Sequence, residues 1–430
     1  MLLSKRQRSY GLHLLLFLIT LATTTMSGAE WRYGKMFFLG PEGFTGSGTI
    51  SWAEFLGGLY FSLPFLGVLT VHEFGHYFTA KFYRTRVTLP YYLPLWFGVT
   101  STIGTMGAFI RIKGRIFSRT QFFDIGIAGP LAGFVVAVPL LWYAFTHLPE
   151  PEYIYTIHPE YKQYGLDYAQ HVYRDSMGNL ALGKNLLFLF FERFVAPDQT
   201  LLPNQYEVIH YPFVFAGYLA LFFTALNLLP IGQLDGGHVL YGLLGYRRFN
   251  QLSPIFFTLF ILYAGLGVIS PYAKPLWAEE LLVIYVPFMF WAFKKLLHNS
   301  RYGFAAAFVM LMVQYSAAAT FPELEAHIWL WPAYVLYLVF VLEPAVPKPH
   351  YVFYLASLVL VLQVLISLAF PEADGYSGWM LFGLLLSRLM GIYHPSSPDE
   401  APLTPARKVL GILAFVVFLL CFSPSPFIVE

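Results

Sequence analysis

Between Phe55 and Phe82 the chain runs apolar for the length of a membrane-crossing helix, and His72, Glu73 and His76 stand in the last third of that run. This placement constrains everything around it. Ionisable groups are expensive in hydrocarbon, so three of them within about one turn mark a site that the remaining chain must shield. Four residues separate the histidines, which puts both on one helix face. Two imidazoles so spaced can share one zinc ion, and Glu73 lies where a carboxylate can take a proton from water at that metal. The bland alternative is a chance scatter of polar residues. With 12 histidines in 430 residues, such a match is rare.

The composition supports a membrane setting. Charged residues make up 12% and hydrophobic ones 57%, with a mean hydropathy of +0.59. Soluble domains carry about 25% charged residues, so this chain hides its surface from water in another way. Aromatic residues at 19% suit many interfacial anchors. A net charge of +2 without a basic run gives nucleic acid nothing to bind. The single cysteine, Cys421, excludes an intramolecular disulfide and a cysteine zinc cluster, and its apolar run makes it lipid- or core-facing.

Taken in order, the chain reads as all-α and polytopic, with about 11 spans. Lys5, Arg6 and Arg8 precede an apolar run from Gly11 to Met26. A retained helix is preferred there to a signal cleaved near Ser27–Ala29, and the basic flank places residue 1 in the cytoplasm. Residues 28–54 read as an external, Gly-rich loop. Lys81, Arg84 and Arg86 then mark the cytoplasmic end of the histidine span. Leu89 to Arg115 is apolar but rich in Pro, Gly, Thr and Tyr. Its tail, Ala108 to Lys113, alternates as a strand does. Because backbone groups cannot stay unpaired in lipid, this piece should be re-entrant and covered by protein, with Arg111, Lys113, Arg115 and Arg119 returning it to the cytoplasmic side.

A span from Phe122 to Phe145 contains Ala128-Gly129-Pro130-Leu131-Ala132-Gly133, small enough for close helix approach. Residues 147–210 read as an external loop whose piece Asn185–Val195 can lie on a membrane surface. A span from Tyr211 breaks at Pro230, and the glycines around Asp235 keep it broken. Non-helical backbone at membrane depth lines a cavity or a site. Loop charges and span counting bring this break to the same side as the histidines. The remainder reads as about seven further spans, with Lys294, Lys295 and Arg301 alternating against Glu323, Glu325, Glu372 and Asp374. His327, His350 and His394 fall in or beside loops and read as interfacial. The boundaries follow: 1–54 for the first helix and loop, 55–252 for a core, and 253–430 for a C-terminal membrane domain.

A catalytic zinc site takes three protein ligands and leaves one position open. Asp235 is the candidate third ligand, with a helix cap as the alternative, and His238 one turn on could compete or stand behind the site. Glu73 is the candidate acid/base. The Asn227 amide could hold a substrate carbonyl oxygen, or simply bond a neighbouring helix.

His72-Glu73-Phe74-Gly75-His76, Asn227-Leu228-Leu229-Pro230 and Leu234-Asp235-Gly236-Gly237 together resemble the site-2 protease family of intramembrane zinc metalloproteases, and Ala128-Gly129-Pro130 resembles the small-residue motif of its intervening helix. The run Leu89–Gly133 is similar to the plastid and cyanobacterial type. The likeness covers about residues 55–245. It implies one zinc per chain held by His72, His76 and Asp235, Glu73 as acid/base, Asn227 as substrate-positioning residue, and membrane-spanning helices of regulatory or remnant proteins as substrates. A PDZ-type insert, carried by many bacterial relatives, does not fit within 147–210. The expected partners are such substrates and the bilayer; nothing fixes the oligomeric state. A bacterial cytoplasmic membrane is expected, since no Arg- and Ser-rich transit peptide precedes the first span. The rival readings are a membrane metal-binding protein or transporter and an inactive substrate-binding homologue. Glu73 separates them, since neither needs a proton shuttle beside two histidines.

Overall fold

The computed structural model describes residues 5–40, 43–45, 48–174, 179–268, 286–294, 299–320 and 325–429. Lys295 and Glu323, read above as topology markers, lie outside them, as does the side chain of His327. The chain forms two compact units. One comprises Met1–Pro230, Leu234–Tyr246 and Pro395–Glu430, the other Ile231–Gln233 and Arg247–His394. Both are predominantly helical. Among the described residues, four helices are long and apolar enough to cross a membrane: Tyr10–Tyr33, Trp52–Phe82, Arg119–Thr146 and Tyr351–Ala369. Pro212–Leu228, Leu330–Ala345 and Gly378–Met390 are apolar but shorter. These fall short of the expected count of about 11.

In the first unit, the first helix (Lys5–Tyr33) runs past Met26, where a loop is expected. Tertiary contacts hold its last turns. Trp31 Nε1 donates to the Thr102 carbonyl at 2.7 Å, and the buried Glu30 carboxylate accepts from the Phe37 N–H and Trp96 Nε1, both at 3.1 Å. This helix lies close on the histidine helix, Leu59–Phe82, because a Cβ at Gly58 would meet the Thr25 carbonyl oxygen at 2.0 Å. The histidine helix closes with Arg84 in the left-handed region (φ 54°) and the Thr85 N–H returning to the Ala80 carbonyl at 2.9 Å.

The segment from Leu89 to Arg115 holds an antiparallel hairpin of Tyr91–Leu95 with Gly104–Phe109. The second strand thus begins four residues earlier than its alternation suggests, and beyond Phe109 only an isolated Val87–Ile112 bridge remains. Gly104 and Gly107 sit at positive φ, 81° and 103°, conformations that cost glycine little. The hairpin packs on the first helix, where Thr23 Oγ1 donates to the Gly104 carbonyl at 2.7 Å. The glycine helix, Arg119–Thr146, then crosses the histidine helix. Arg119 is no membrane-surface cation: it is buried, and its Nε donates to the Gly242 carbonyl at 2.8 Å near the end of helix Asp235–Leu244.

Between residues 147 and 210 the chain makes short 3₁₀ turns, the strand Leu180–Leu182 and the helix Leu186–Phe194. Asn185 caps that helix, accepting from the Phe188 N–H at 2.9 Å. Phe188 and Phe191 are buried in the core, while Leu189, Phe190 and Phe194 are exposed. The last helix of the chain, Pro405–Cys421, returns to the first unit and ends in the strand Phe427–Val429 paired with Leu180–Leu182. The Tyr218 hydroxyl, fully buried, lies 2.8 Å from the Gly183 carbonyl oxygen and 2.6 Å from that of Pro426, beside this pairing. Arg407 holds the other end of the last helix through a two-pronged contact with Asp124 at 2.8 and 2.9 Å. Cys421 is buried in the core.

The second unit has its own core around Met289, Ala292, Leu336 and Phe340. Its apolar helices carry buried polar groups. Gln363, fully buried, accepts from the Tyr334 hydroxyl at 2.9 Å and donates to the Leu262 carbonyl at 2.9 Å. Arg388 pairs with Glu343 at 2.9 Å. His394 is in a loop but buried rather than interfacial, and it exchanges backbone bonds with the Asn250 amide at 2.9 and 3.0 Å. His350 is exposed at the start of helix Tyr351–Ala369.

Candidate metal centre

The helical run from Leu59 to Phe82 sets His72 and His76 on the face turned to the glycine helix. A Cβ at Gly129 would lie 2.1 Å from His76 Nε2, one at Gly133 3.3 Å from the His72 Cβ, and one at Gly75 2.6 Å from the Ala128 carbonyl oxygen. At Gly129 and Gly75 only a side chain of hydrogen lets these helices meet, so the small residues make the room that the imidazoles fill.

The third group arrives from the broken helix. Pro212–Leu228 ends just before Pro230, and the next helix starts at Asp235. Gly236 permits this turn, since a Cβ there would be 2.0 Å from the Leu228 carbonyl oxygen. Asp235 does not serve as a cap: Leu234 occupies that position, and no side chain bonds the helix start. Its carboxylate instead faces the histidines. Asp235 Oδ2 is 3.2 Å from His76 Nε2 and 3.5 Å from His72 Nε2, and the two Nε2 atoms are 3.1 Å apart. His72 and His76 are buried and Asp235 nearly so.

The hydrogen bonds decide which atoms face inward. His76 Nδ1 lies 2.7 Å from the Ile125 carbonyl oxygen, which can only accept, so the ring proton sits on Nδ1 and Nε2 presents a lone pair. Two imidazole nitrogens and a carboxylate oxygen then converge on one point. A tetrahedral zinc with bonds of about 2.0–2.1 Å needs neighbouring ligand atoms about 3.3 Å apart. The three separations bracket that value, and the donor set fits zinc. Glu73 is buried beside it without joining it: Oε1 is 3.9 Å from His72 Nε2, and the Ile110 backbone at the end of the hairpin faces its carboxylate.

Asn227 lines a narrow cleft together with His72, Gly133 and Thr224. His238 does not join the three donors. It turns to the glycine helix, where its ring lies 5.5 Å from that of Phe122. The Ile125 carbonyl and the Ile110 backbone had no signal in the sequence, because every residue carries such groups. Their roles come from where the chain puts them.

Residues 60–269, just under half of the chain, match the profile of peptidase family M50. The chain is 29% identical over 219 residues to Probable zinc metalloprotease EGY1, chloroplastic, of Arabidopsis thaliana, covering 51% of this chain and 35% of that protein. It is 26% identical over 200 residues to Probable zinc metalloprotease EGY2, chloroplastic, of Oryza sativa subsp. indica, covering 46% and 31%. A similar match, 27% over 200 residues, joins it to Probable zinc metalloprotease EGY3, chloroplastic, of the same rice, covering 44% and 30%. The chain thus spans about a third of the length of these relatives. No solved structure matches it. Over residues 60–269 this chain matches peptidase family M50, the site-2 protease family, and it resembles the plastid-type members.

Proposed function

We propose that the chain is an intramembrane zinc endopeptidase that cuts peptide bonds in or near membrane-spanning helices. The observation that carries this reading is the convergence of His72 Nε2, His76 Nε2 and Asp235 Oδ2, with separations of 3.1–3.5 Å, beside a carboxylate that is not one of the three. His72, His76 and Asp235 are the ligands we assign, one zinc per chain. Zinc bound there supplies a Lewis acid that activates water and polarises the scissile carbonyl. Glu73 takes the water's proton on its carboxylate and passes it to the departing nitrogen. Asn227 donates its amide N–H to the substrate carbonyl oxygen from the cleft it shares with His72. We assign the protease core to residues 55–252, with the first helix and residues 253–430 outside it. The basic flank at Lys5–Arg8 supports residue 1 on the cytoplasmic face of the membrane.

The test is metal-dependent cleavage. Purified protein in liposomes is offered a panel of single-span substrates, stripped with a chelator, and restored with zinc. Cuts inside the span, lost on stripping and regained with zinc, are the expected result. Zinc retention with no cut in any substrate, together with zinc flux across the liposome, would put a transporter in its place.

A helical peptide bond is guarded by its own hydrogen bonds, so the substrate must become extended, and an unpaired strand edge beside the site would hold it so. We assign this role to Gly104–Phe109. In that strand Ala108 stands opposite Tyr92, and Ile110, one residue past its end, turns its backbone to Glu73. Ala108→Pro removes a backbone donor from the strand and leaves Ile110 in place beside Glu73. It should raise KM about tenfold or more, with zinc content and thermal stability held. Unchanged cleavage by the folded variant would end the strand-pairing idea. Ile110→Pro is the poorer probe, because it also changes the backbone that faces Glu73.

A further inference from the structure

A second convergence of lone pairs lies in the 147–210 segment, well apart in sequence from the histidine helix. His158 precedes the 3₁₀ turn Pro159–Asp167, while Glu207 leads into the turn Val208–His210 and His210 ends it. Three residues make one revolution of such a turn, so Glu207 and His210 project together. His210 Nε2 is 3.4 Å from His158 Nε2 and 3.4 Å from Glu207 Oε2, and all three donor atoms lie within 4.8 Å of one another. Glu207 and His210 are buried, 1% and 5% exposed, while the His158 side chain keeps 25% of its surface open.

The outer bonds of these groups fix what faces inward. His210 Nδ1 lies 2.6 Å from the Trp31 carbonyl oxygen, an acceptor only, so its proton is on Nδ1 and its Nε2 presents a lone pair. His158 Nδ1 lies 3.1 Å from a Glu160 carboxylate oxygen, which orders that ring in the same way. Glu207 Oε1 accepts from the Tyr173 hydroxyl, which leaves Oε2 to the histidines. Two nitrogen lone pairs and a carboxylate oxygen thus face one another in a mostly buried place, an arrangement that is repulsive without a cation among them. Each ligand has its own outer partner, as ligands of bound metals do.

We propose that His158, Glu207 and His210 form a second metal site, for a divalent transition ion of the zinc class, with a position open to water on the exposed side of His158. Two histidines and one carboxylate are a donor set that zinc accepts. Trp31 belongs to the first helix, and His210 stands two residues before helix Pro212–Leu228. The ion therefore clamps the 147–210 segment against the ends of two membrane helices. It is a fastening, separate from the chemistry at Glu73.

Zinc stoichiometry tests this. The full chain in detergent is loaded with zinc, freed of excess, and its metal counted beside His158→Phe, His76→Ala and the double variant. His158→Phe keeps a ring to stack on Tyr161, 4.5 Å away, and loses the donor. The expected counts are two ions for wild type, one for each single variant and none for the double. Glu207→Gln should repeat the loss of one ion. Zinc should also slow amide exchange over residues 151–172 in wild type but not in His158→Phe. Equal zinc in wild type and His158→Phe would overturn the site and leave a shared proton between the imidazoles. A single ion lost in His158→Phe but kept in His76→Ala would uphold this site and sink the catalytic reading instead.

Discussion

Glu73→Gln should keep its zinc and lose cleavage by about 10²- to 10⁴-fold, the range a positioned acid/base contributes. The geometry separates the two effects. Glu73 Oε1 stands 3.9 Å from His72 Nε2 and lies outside the converging donors, so the substitution leaves all three in place. Glutamine matches glutamate in shape, and its amide can still face the Ile110 backbone. What disappears is a group that can take a proton and give it back. A fall of two to four decades corresponds to about 3–5 kcal/mol of barrier, with binding of substrate little changed. The measurement is single-turnover cleavage in liposomes with metal content read on the same preparation. Cleavage at the wild-type rate would remove Glu73 from the chemistry. Loss of zinc would instead place it among the ligands.

What could be read from the sequence follows from what each feature depends on. The spans at Phe55–Phe82 and Phe122–Phe145 appear as helices Leu59–Phe82 and Arg119–Thr146, since long apolar runs in lipid have little choice but to pair their backbone internally. The break before Asp235 was legible for the same reason in reverse: Pro230 cannot continue a helix, and Gly236 fits where a Cβ would strike Leu228. The hairpin was half legible. Alternation at Ala108–Lys113 marked a strand, but the pairing partner Tyr91–Leu95 and the earlier start at Gly104 depend on contacts with the first helix, far away in sequence. The continuation of the first helix to Tyr33 has the same origin, in Thr102, Phe37 and Trp96. The His158, Glu207 and His210 cluster was illegible, because nearly fifty residues separate its first member from the rest and only the folded segment brings them together.

Gly129→Ala should cost the protein its zinc and its cleavage although Gly129 itself supplies no ligand to the metal. The added Cβ would stand 2.1 Å from His76 Nε2 and 2.5 Å from both Cδ2 and Cε1, so the ring or a helix must move by more than an ångström to make room. Neither moves easily. The ring is buried and tied by Nδ1 to the Ile125 carbonyl at 2.7 Å, on the same helix as Gly129 itself. The helices are already at backbone contact at Gly75, where a Cβ would meet the Ala128 carbonyl oxygen at 2.6 Å. Overpacking of this kind costs about 1–3 kcal/mol of stability, which a large membrane protein can absorb. The site cannot absorb it, since a displacement of about 1 Å at a reacting group is enough to cost about 10²-fold in rate. Gly133→Ala provides the graded comparison: its Cβ would be 3.3 Å from the His72 Cβ, a contact relieved by a few tenths of an ångström. The expected order is therefore near-normal zinc and reduced cleavage for Gly133→Ala, and loss of both for Gly129→Ala, with both variants folded by thermal melting. Full zinc and full cleavage in Gly129→Ala would mean that His76 Nε2 does not point where the metal is held, and the ligand assignment would fall with it.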